Sequence, residues 1–512
     1  MSGGVVWLPN NPLMRSQRVA DSHEDGLAYL ADVVGDVGPA SSPERREAFL
    51  TGGSEMVSFL QREGVRLIRC PGYSDYYPNH EGGNAEGRSI EPTPFDAREL
   101  GDWHDKIMPG MARSFGLAVK TNEMRSIQYF NRAPRPFAIA GRVWLRTALA
   151  RLRGQELLTN GASLIAQLVK ALRRYKVPIW TATSFEELIV EDGRVVGVRV
   201  LRDGSGVLIE ARRGVLLAAG GFGHNAEMRR KHSGDQPNEA QWSVANPGDT
   251  GEVLAAAIQL GARTDLMDEA WWLPSPARDL GSSTLGQARQ RPGAIFVNSA
   301  GNRFCNESNS YVEVGKAMYE HDAVPAWLVF DDAHRRRYVL TGRRPGRLPR
   351  QWLDSGRLRK SDTVAELAVQ IGVDAAGLVA TVDRFNANAA RGLDPDFGRG
   401  HSAYNRCLGD PGHKLNPALG PLEKPPFYAT EIYPSDVGTC GGLITNEHAQ
   451  VLDEQGSVIP GLYATGNITA TVLGRTYLGA GASIANTMVF GFVAAHHAAD
   501  GATADRARRD LA

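Results

Sequence analysis

The run Gly474-Arg475-Thr476-Tyr477-Leu478-Gly479-Ala480-Gly481-Ala482-Ser483-Ile484 joins a tyrosine hydroxyl, a glycine turn and the start of an apolar helix. Few backbone paths satisfy that order. Glycines let the main chain approach a ligand closely. The first helical turn leaves N–H groups without intrahelical partners, and the helix dipole favours negative charge at that end. Such a segment suits an oxyanion site beside a cofactor, with the Tyr477 hydroxyl as an added donor.

A second glycine-marked junction lies far upstream. The strand Arg213–Ala219 runs into Gly220-Gly221-Phe222-Gly223, and Asn225 follows as a helix cap. A buried strand that ends in paired glycines is where an α/β sheet admits a cofactor. Around it the pattern predicts strands at 179–183, 185–190 and 195–200, with a turn at Glu191-Asp192-Gly193-Arg194. Pro247–Glu252 caps a helix from Val253 to Leu260, and Ser41-Ser42-Pro43-Glu44 caps one that carries Phe49, Met56, Phe59 and Leu60. Residues 270–434 are richer in proline, arginine and tryptophan and read as a separate α+β unit. Glycine-punctuated strands and a final helix follow, with a tail expected to fray after Asp500. The organisation is one discontinuous domain with another inserted.

At 512 residues the chain is long enough for two domains, and its 57 basic and 57 acidic residues cancel. No global field therefore draws it to nucleic acid. Cys70, Cys305, Cys407 and Cys440 lack metal-ligand spacing, and the histidines do too, so no metal is assigned. No signal peptide or spanning segment is legible, which places the protein in the cytoplasm. Ser483 lies in no G-x-S-x-G elbow, so a hydrolase triad has no support.

From Lys106 to Arg153 the charge balance breaks down. Lys120, Arg125, Arg132, Arg135, Arg142, Arg146 and Arg151 are interleaved with Phe115, Ile127, Tyr129, Phe130, Phe137, Ile139 and Trp144. The plain reading is a solvated helical face or a subunit contact. The sharper one is weak association with a membrane surface, because basic and aromatic residues interleaved on a helix favour the lipid interface.

Three tyrosine motifs occur in order: Ser74-Asp75-Tyr76-Tyr77-Pro78; Asn298-x-x-Gly301-x-Arg303-Phe304-x-Asn306-Glu307-Ser308-x-x-Tyr311; and Leu462-Tyr463-Ala464-Thr465-Gly466-Asn467 followed by Gly474-Arg475-Thr476-Tyr477. Together they resemble the 3-ketosteroid 1-dehydrogenases, members of the wider fumarate reductase-like FAD flavoproteins, from Gly3 almost to the C-terminus. The resemblance implies an α/β fold: a Rossmann-like FAD-binding domain, residues 1–269 and 437–512, interrupted by an inserted α+β catalytic domain, residues 270–436. The family's G-x-G-x-x-G unit precedes a Gly-Gly-x-x-Trp-Leu-Pro segment. This chain opens at Gly3-Gly4-Val5-Val6-Trp7, so the N-terminal βαβ unit is expected to be absent and the first domain truncated.

By the same resemblance FAD contacts fall at Gly3, Gly4, Ala219, Gly220, Gly221, Gly466, Asn467, Gly479, Ser483 and Ile484. The implied reaction is desaturation of the A ring of a 3-oxosteroid, with a proton leaving C2 and a hydride leaving C1 for the flavin. Tyr477 and the Gly481 N–H would polarise the ketone, Tyr311 would be the base, and Tyr76 its hydrogen-bonded helper. An ordinary phenol has a pKa near ~10, so Tyr311 needs a depressed value or a proton relay. A quinone-type or artificial acceptor would reoxidise the flavin. Leu478 and Ala480 stand where the family usually has prolines, which predicts a looser turn at Gly481. The alternatives are a 4(5)-ketosteroid dehydrogenase, a fumarate reductase-like alkene reductase, and a truncated, flavin-free steroid-binding protein. Fumarate-type sites hold two carboxylates with an arginine and histidines, and no equivalent set is evident.

Overall fold

Trp7 is fully buried where three distant parts of the chain meet. The computed structural model describes residues 2–108, 110, 116–276, 285 and 287–509, so Phe115 lies outside the described residues. The strand Val6–Trp7 pairs with Ser89–Pro92, which pairs with Leu67–Arg69. The Trp7 indole stacks on Phe49 with centroids 6.4 Å apart, and its Nε1 donates to Asp75 Oδ1 at 2.7 Å.

Phe49 belongs to the capped helix expected from the sequence, Pro43–Arg62, whose Ser42 side chain accepts from the Arg45 N–H. Full burial of a side chain such as Phe49 stabilises by about 1.5–3 kcal/mol. Gly52 and Gly53 let this helix lie close against its neighbours. A Cβ at Gly53 would stand 2.6 Å from Leu8 Cδ2, and one at Gly52 would stand 2.9 Å from Val493 Cγ2. Val493 is on the C-terminal helix, Ala482–Arg509, which continues beyond Asp500 where fraying was expected.

Strands Thr183–Glu191, Arg194–Arg202 and Ser205–Glu210 form an antiparallel meander. Its first turn has positive φ at both Asp192 (47°) and Gly193 (75°), the geometry that matches strand twist in a two-residue hairpin. Residues 179–182, expected to be in a strand, lie outside the meander.

The strand before the glycine pair covers only Val215–Leu217 and pairs in parallel with Leu462–Ala464. It was expected to span Arg213–Ala219 and to be buried, yet Leu216 is 41% exposed. The strand stands at the edge of a three-stranded sheet, and alternate residues of a strand face opposite sides.

A five-stranded antiparallel sheet combines Ala270–Ser275, Ala294–Val297, Ala326–Asp331 and Leu358–Ser361 with the long strand Phe427–Thr439. It is buried on both faces. Phe296, Leu328 and Phe330 join one apolar cluster, and their neighbours Ile295, Val297 and Val329 join another. The helix Tyr311–Glu320 lies against Ala270–Ser275 through Gly315, where a Cβ would meet Trp272 Cβ at 2.4 Å. That contact fixes the position of Tyr311 at the start of the helix. No helix among the described residues is long and apolar enough to cross a membrane, and the four cysteines are free thiols.

Candidate active site

Tyr76, Tyr311 and Tyr477 converge, although they come from a loop, a helix start and a turn far apart in the chain. Ring centroids are 5.6 Å apart for Tyr76–Tyr311, 5.1 Å for Tyr311–Tyr477 and 5.6 Å for Tyr76–Tyr477. Two residues missed by the sequence reading complete the cluster. Tyr404 packs 4.3 Å from Tyr76, and Trp271 meets Tyr477 edge-on at 5.1 Å. Tyr404 sits in a five-residue helix, Ala403–Cys407, with no motif around it. The adjacent tryptophans Trp271-Trp272 were visible only as composition.

Backbone hydrogen bonds hold the turn that carries Tyr477. The Leu478 carbonyl accepts from the Tyr76 N–H at 3.0 Å and from the Tyr29 hydroxyl at 2.9 Å. The Ala480 carbonyl accepts from Ser89 Oγ at 2.8 Å, and the Gly481 carbonyl from the Trp7 and Ala485 N–H groups at 3.3 and 3.0 Å. The looser turn expected from the missing prolines is therefore not found, because tertiary hydrogen bonds fix what ring closure would otherwise fix. Gly481 has φ +94°, and a Cβ there would stand 2.0 Å from the Val5 carbonyl oxygen. A Cβ at Gly479 would strike the Trp7 indole at 2.2 Å.

The Tyr311 helix is tied to both neighbouring loops. The Tyr77 hydroxyl donates to Glu313 Oε1 at 2.9 Å. Lys316 Nζ donates to the Arg475 carbonyl at 2.5 Å and lies 3.3 Å from Glu269. Arg475 in turn pairs with Glu269 and Asp268, each at 2.7 Å. Tyr477 thus rests on an ion cluster shared by three segments, and its hydroxyl lies 3.1 Å from Ser483 Oγ.

Burial pushes the Tyr76 and Tyr311 hydroxyls well above the ordinary phenol range, and the neighbouring phenols push them further. Contact with the Tyr76 hydroxyl offsets part of this for Tyr311. The shift is opposite to the depressed value expected of a tyrosine that acts as a base by itself. Burial also raises Tyr404, against the opposing charge of Arg289. Arg289 is buried beside Tyr404 and Tyr76, donates to the Glu307 and Asn309 carbonyls, and makes no ion pair among the described residues.

The expected cofactor residues surround the same region from two sides. Gly466 (φ +81°) faces Thr487 on the C-terminal helix, and Asn467 Oδ1 accepts from Trp271 Nε1 at 3.2 Å. Gly220 (φ +82°) and Gly221 leave no room for a Cβ beside Asp249 and Thr439, and Ala219 is exposed. Gly4 (φ +64°) packs on the Asn160–Gly161 backbone, and the Gly3 carbonyl accepts from Thr121 Oγ1 at 2.6 Å.

Residues 1–484 match the family described as FAD binding domain. The chain is 44% identical to the 3-oxosteroid 1-dehydrogenase of Mycobacterium tuberculosis, over 98% of this chain and 91% of that one. It is 40% identical to the enzyme of the same name from Mycolicibacterium smegmatis, over 99% and 91%. The chain belongs to the 3-oxosteroid 1-dehydrogenases, within the FAD-binding proteins of the fumarate reductase type. Its fold also matches the crystal structure of 3-ketosteroid delta1-dehydrogenase from Sterolibacterium denitrificans in complex with 1,4-androstadiene-3,17-dione. That match has a TM-score of 0.90, 38% identity, and coverage of 98% of this chain and 92% of that one.

FAD is the cofactor of this family, and the residues present fit it. The Ser483 and Ile484 N–H groups open the C-terminal helix without partners among the described residues, as does the Gly481 N–H. Asn486 Oδ1 is buried with no donor, so the same helix start offers both polarities to a ligand. The absent side chains at 479 and 481 are what let the turn lie against Trp7 and the Val5 carbonyl.

Proposed function

We propose that this enzyme removes hydrogen from C1 and C2 of the A ring of a 3-oxosteroid. The observation that carries the proposal is the meeting of Tyr76, Tyr311 and Tyr477, with the Gly481 N–H in the Tyr477 turn unpartnered among the described residues. When bound, FAD supplies the acceptor for the hydride from C1. Tyr477 Oη and the Gly481 N–H donate to the C3 oxygen as it gains negative charge, and loss of one such donor typically costs about 2.7–4 kcal/mol. That polarisation makes the C2 proton acidic. Tyr311 Oη takes the proton as its own passes to Tyr76, Tyr76 passes its proton to Tyr404, and Tyr404 releases one toward solvent, so that each phenol ends neutral. A lone buried phenolate would be expensive, so the shared proton is what makes the base usable.

The same reading takes residues 270–436 as the inserted catalytic domain and 1–269 with 437–512 as the FAD-binding domain. The parallel pair Val215–Leu217 and Leu462–Ala464 supports a Rossmann-like character for the latter. A quinone-type molecule would receive the electrons, and the enzyme would act in the cytoplasm, in part at a membrane surface where steroid and quinone dissolve. The test is dichlorophenolindophenol reduction by the flavin-loaded protein with androst-4-ene-3,17-dione, followed by product identification. A 1,4-diene-3-one supports the proposal; turnover to a different product, or none, overturns it.

A further inference from the structure

We propose that Glu269 is a positioning residue for the reaction: its carboxylate sets the distance between the proton acceptor Tyr311 and the ketone donor Tyr477. The proposal rests on the functional reading above and adds a residue that acts through its neighbours. Each side of the tyrosine cluster is delivered by a different element. Tyr311 opens the helix Tyr311–Glu320, Tyr477 lies in the turn after Arg475, and Trp271 reaches Tyr477 from the strand Ala270–Ser275. Glu269, 7% exposed, stands immediately before that strand and holds all three elements. Its Oε1 accepts from Arg475 Nη1 at 2.7 Å and lies 3.3 Å from Lys316 Nζ. Its Oε2 accepts from Trp272 Nε1 at 3.3 Å. Trp272 in turn presses on the Tyr311 helix at Gly315 and meets Tyr319 edge-on, with centroids 5.2 Å apart. Successive strand residues point to opposite sides, so one strand sends Trp271 to the Tyr477 turn and Trp272 to the Tyr311 helix.

Glu269 is itself held at both ends of its backbone. Its N–H donates to the Leu266 carbonyl at 2.9 Å, and its carbonyl accepts from the Cys440 N–H at 3.2 Å. The adjacent acid differs. The Asp268 side chain is 50% exposed, and its side-chain hydrogen bonds among the described residues go to Arg475, a pairing that water screens. Without the Glu269 charge, Lys316 Nζ keeps the Arg475 carbonyl as acceptor but loses the carboxylate that balances it. A cation left so placed is drawn toward water. Lys316 lies five residues beyond Tyr311 in one helix, and Arg475 two residues before Tyr477, so displacement of either cation is passed to a reacting group. Misplacement by about 1 Å can cost ~10²-fold in rate.

The test compares flavin-loaded wild type with Glu269→Gln, Lys316→Met and the double variant, with turnover expressed per bound flavin. Glu269→Gln should lower kcat about 10-fold to 10²-fold while KM for androst-4-ene-3,17-dione changes less than about threefold, because alignment rather than steroid binding is lost. Deuterium at C1 and C2 should slow the variant more than wild type, since hydrogen removal then limits turnover more fully. The double variant should be no slower than the slower single one, as expected of residues that act as a unit. Asp268→Asn should lower kcat less than about threefold. Hydrogen exchange supplies a reading that needs no turnover: loss of the Glu269 charge should speed exchange in residues 311–320 and 474–481 together, and Asp268→Asn should not. Wild-type kcat per flavin in Glu269→Gln, or exchange unchanged in either segment, overturns the proposal. So does a loss confined to flavin content with the isotope effect unchanged, which would make the ion pair merely structural. Wild-type protein that yields no 1,4-diene, while Glu269→Gln still loosens both segments, would leave Glu269 as their common anchor and remove the functional reading instead.

Discussion

The Tyr76 backbone N–H donates to the Leu478 carbonyl at 3.0 Å, so the loop of one clustered tyrosine is fastened to the turn that carries another, Tyr477. The Tyr29 hydroxyl reaches the same carbonyl at 2.9 Å and accepts from the Tyr77 N–H at 3.2 Å. Tyr29 therefore staples both loops without touching the tyrosine cluster through its ring.

Tyr29→Phe removes that staple and leaves the half-buried Tyr77 N–H without its acceptor. A stability loss of about 1–3 kcal/mol is expected, from the cost of an unsatisfied buried polar group. Urea unfolding of the two proteins checks it. Turnover should fall severalfold through kcat, because the ketone donors and the proton acceptor lose their mutual alignment.

Tyr477→Phe deletes one of the two proposed donors to the ketone while keeping the ring against Trp271 and Tyr311. The expected loss in kcat is about 10²–10³-fold, the usual effect of one preorganised oxyanion donor. Steady-state dye reduction measures it, and the flavin spectrum should be unchanged.

Arg289→Met removes a buried positive charge that opposes the upward shift of Tyr404. Without it the hydroxyl chain becomes harder to ionise, so the limb of kcat/KM that rises with pH should move to higher pH. Arg289→Lys should restore much of the wild-type profile. A purely structural role would lower activity equally at all pH values.

Stability should also depend on pH through His334. Burial holds its pKa down at about 4, and its Nδ1 lies 2.9 Å from the Pro292 carbonyl. Below the unfolded value of roughly 6.5 the unfolded chain takes up a proton that the folded chain does not, so stability is present above that pH and falls toward pH 4. The slope contributed by one such histidine is at most about 1.4 kcal/mol per pH unit. Denaturant midpoints at neutral and mildly acidic pH should differ less in His334→Phe than in wild type.

The local signals were legible where a short stretch of chain is sufficient by itself. Ser42 before Pro43 starts a helix, Asp192-Gly193 turns a hairpin, and Tyr477 before Gly-x-Gly opens the last helix, all as their local chemistry requires. The three tyrosine motifs identified the family and marked Tyr76, Tyr311 and Tyr477. Tyr404, Trp271, Tyr29 and Arg289 carried no such signal, because each matters only through a partner distant in sequence.

The amino-acid sequence by itself determined the cofactor class, the order of the tyrosine motifs and the strong positive charge between Lys106 and Arg153. Those properties belong to residue types and spacings. The tertiary structure alone decided that the Gly481 turn is held firmly without prolines and that Tyr311 is shifted away from a free base. It also decided that Phe137, Trp144 and Leu152 face outward. Burial, hydrogen-bond closure and the direction of a helical face are set by which distant surfaces meet, and no local stretch of sequence contains that information.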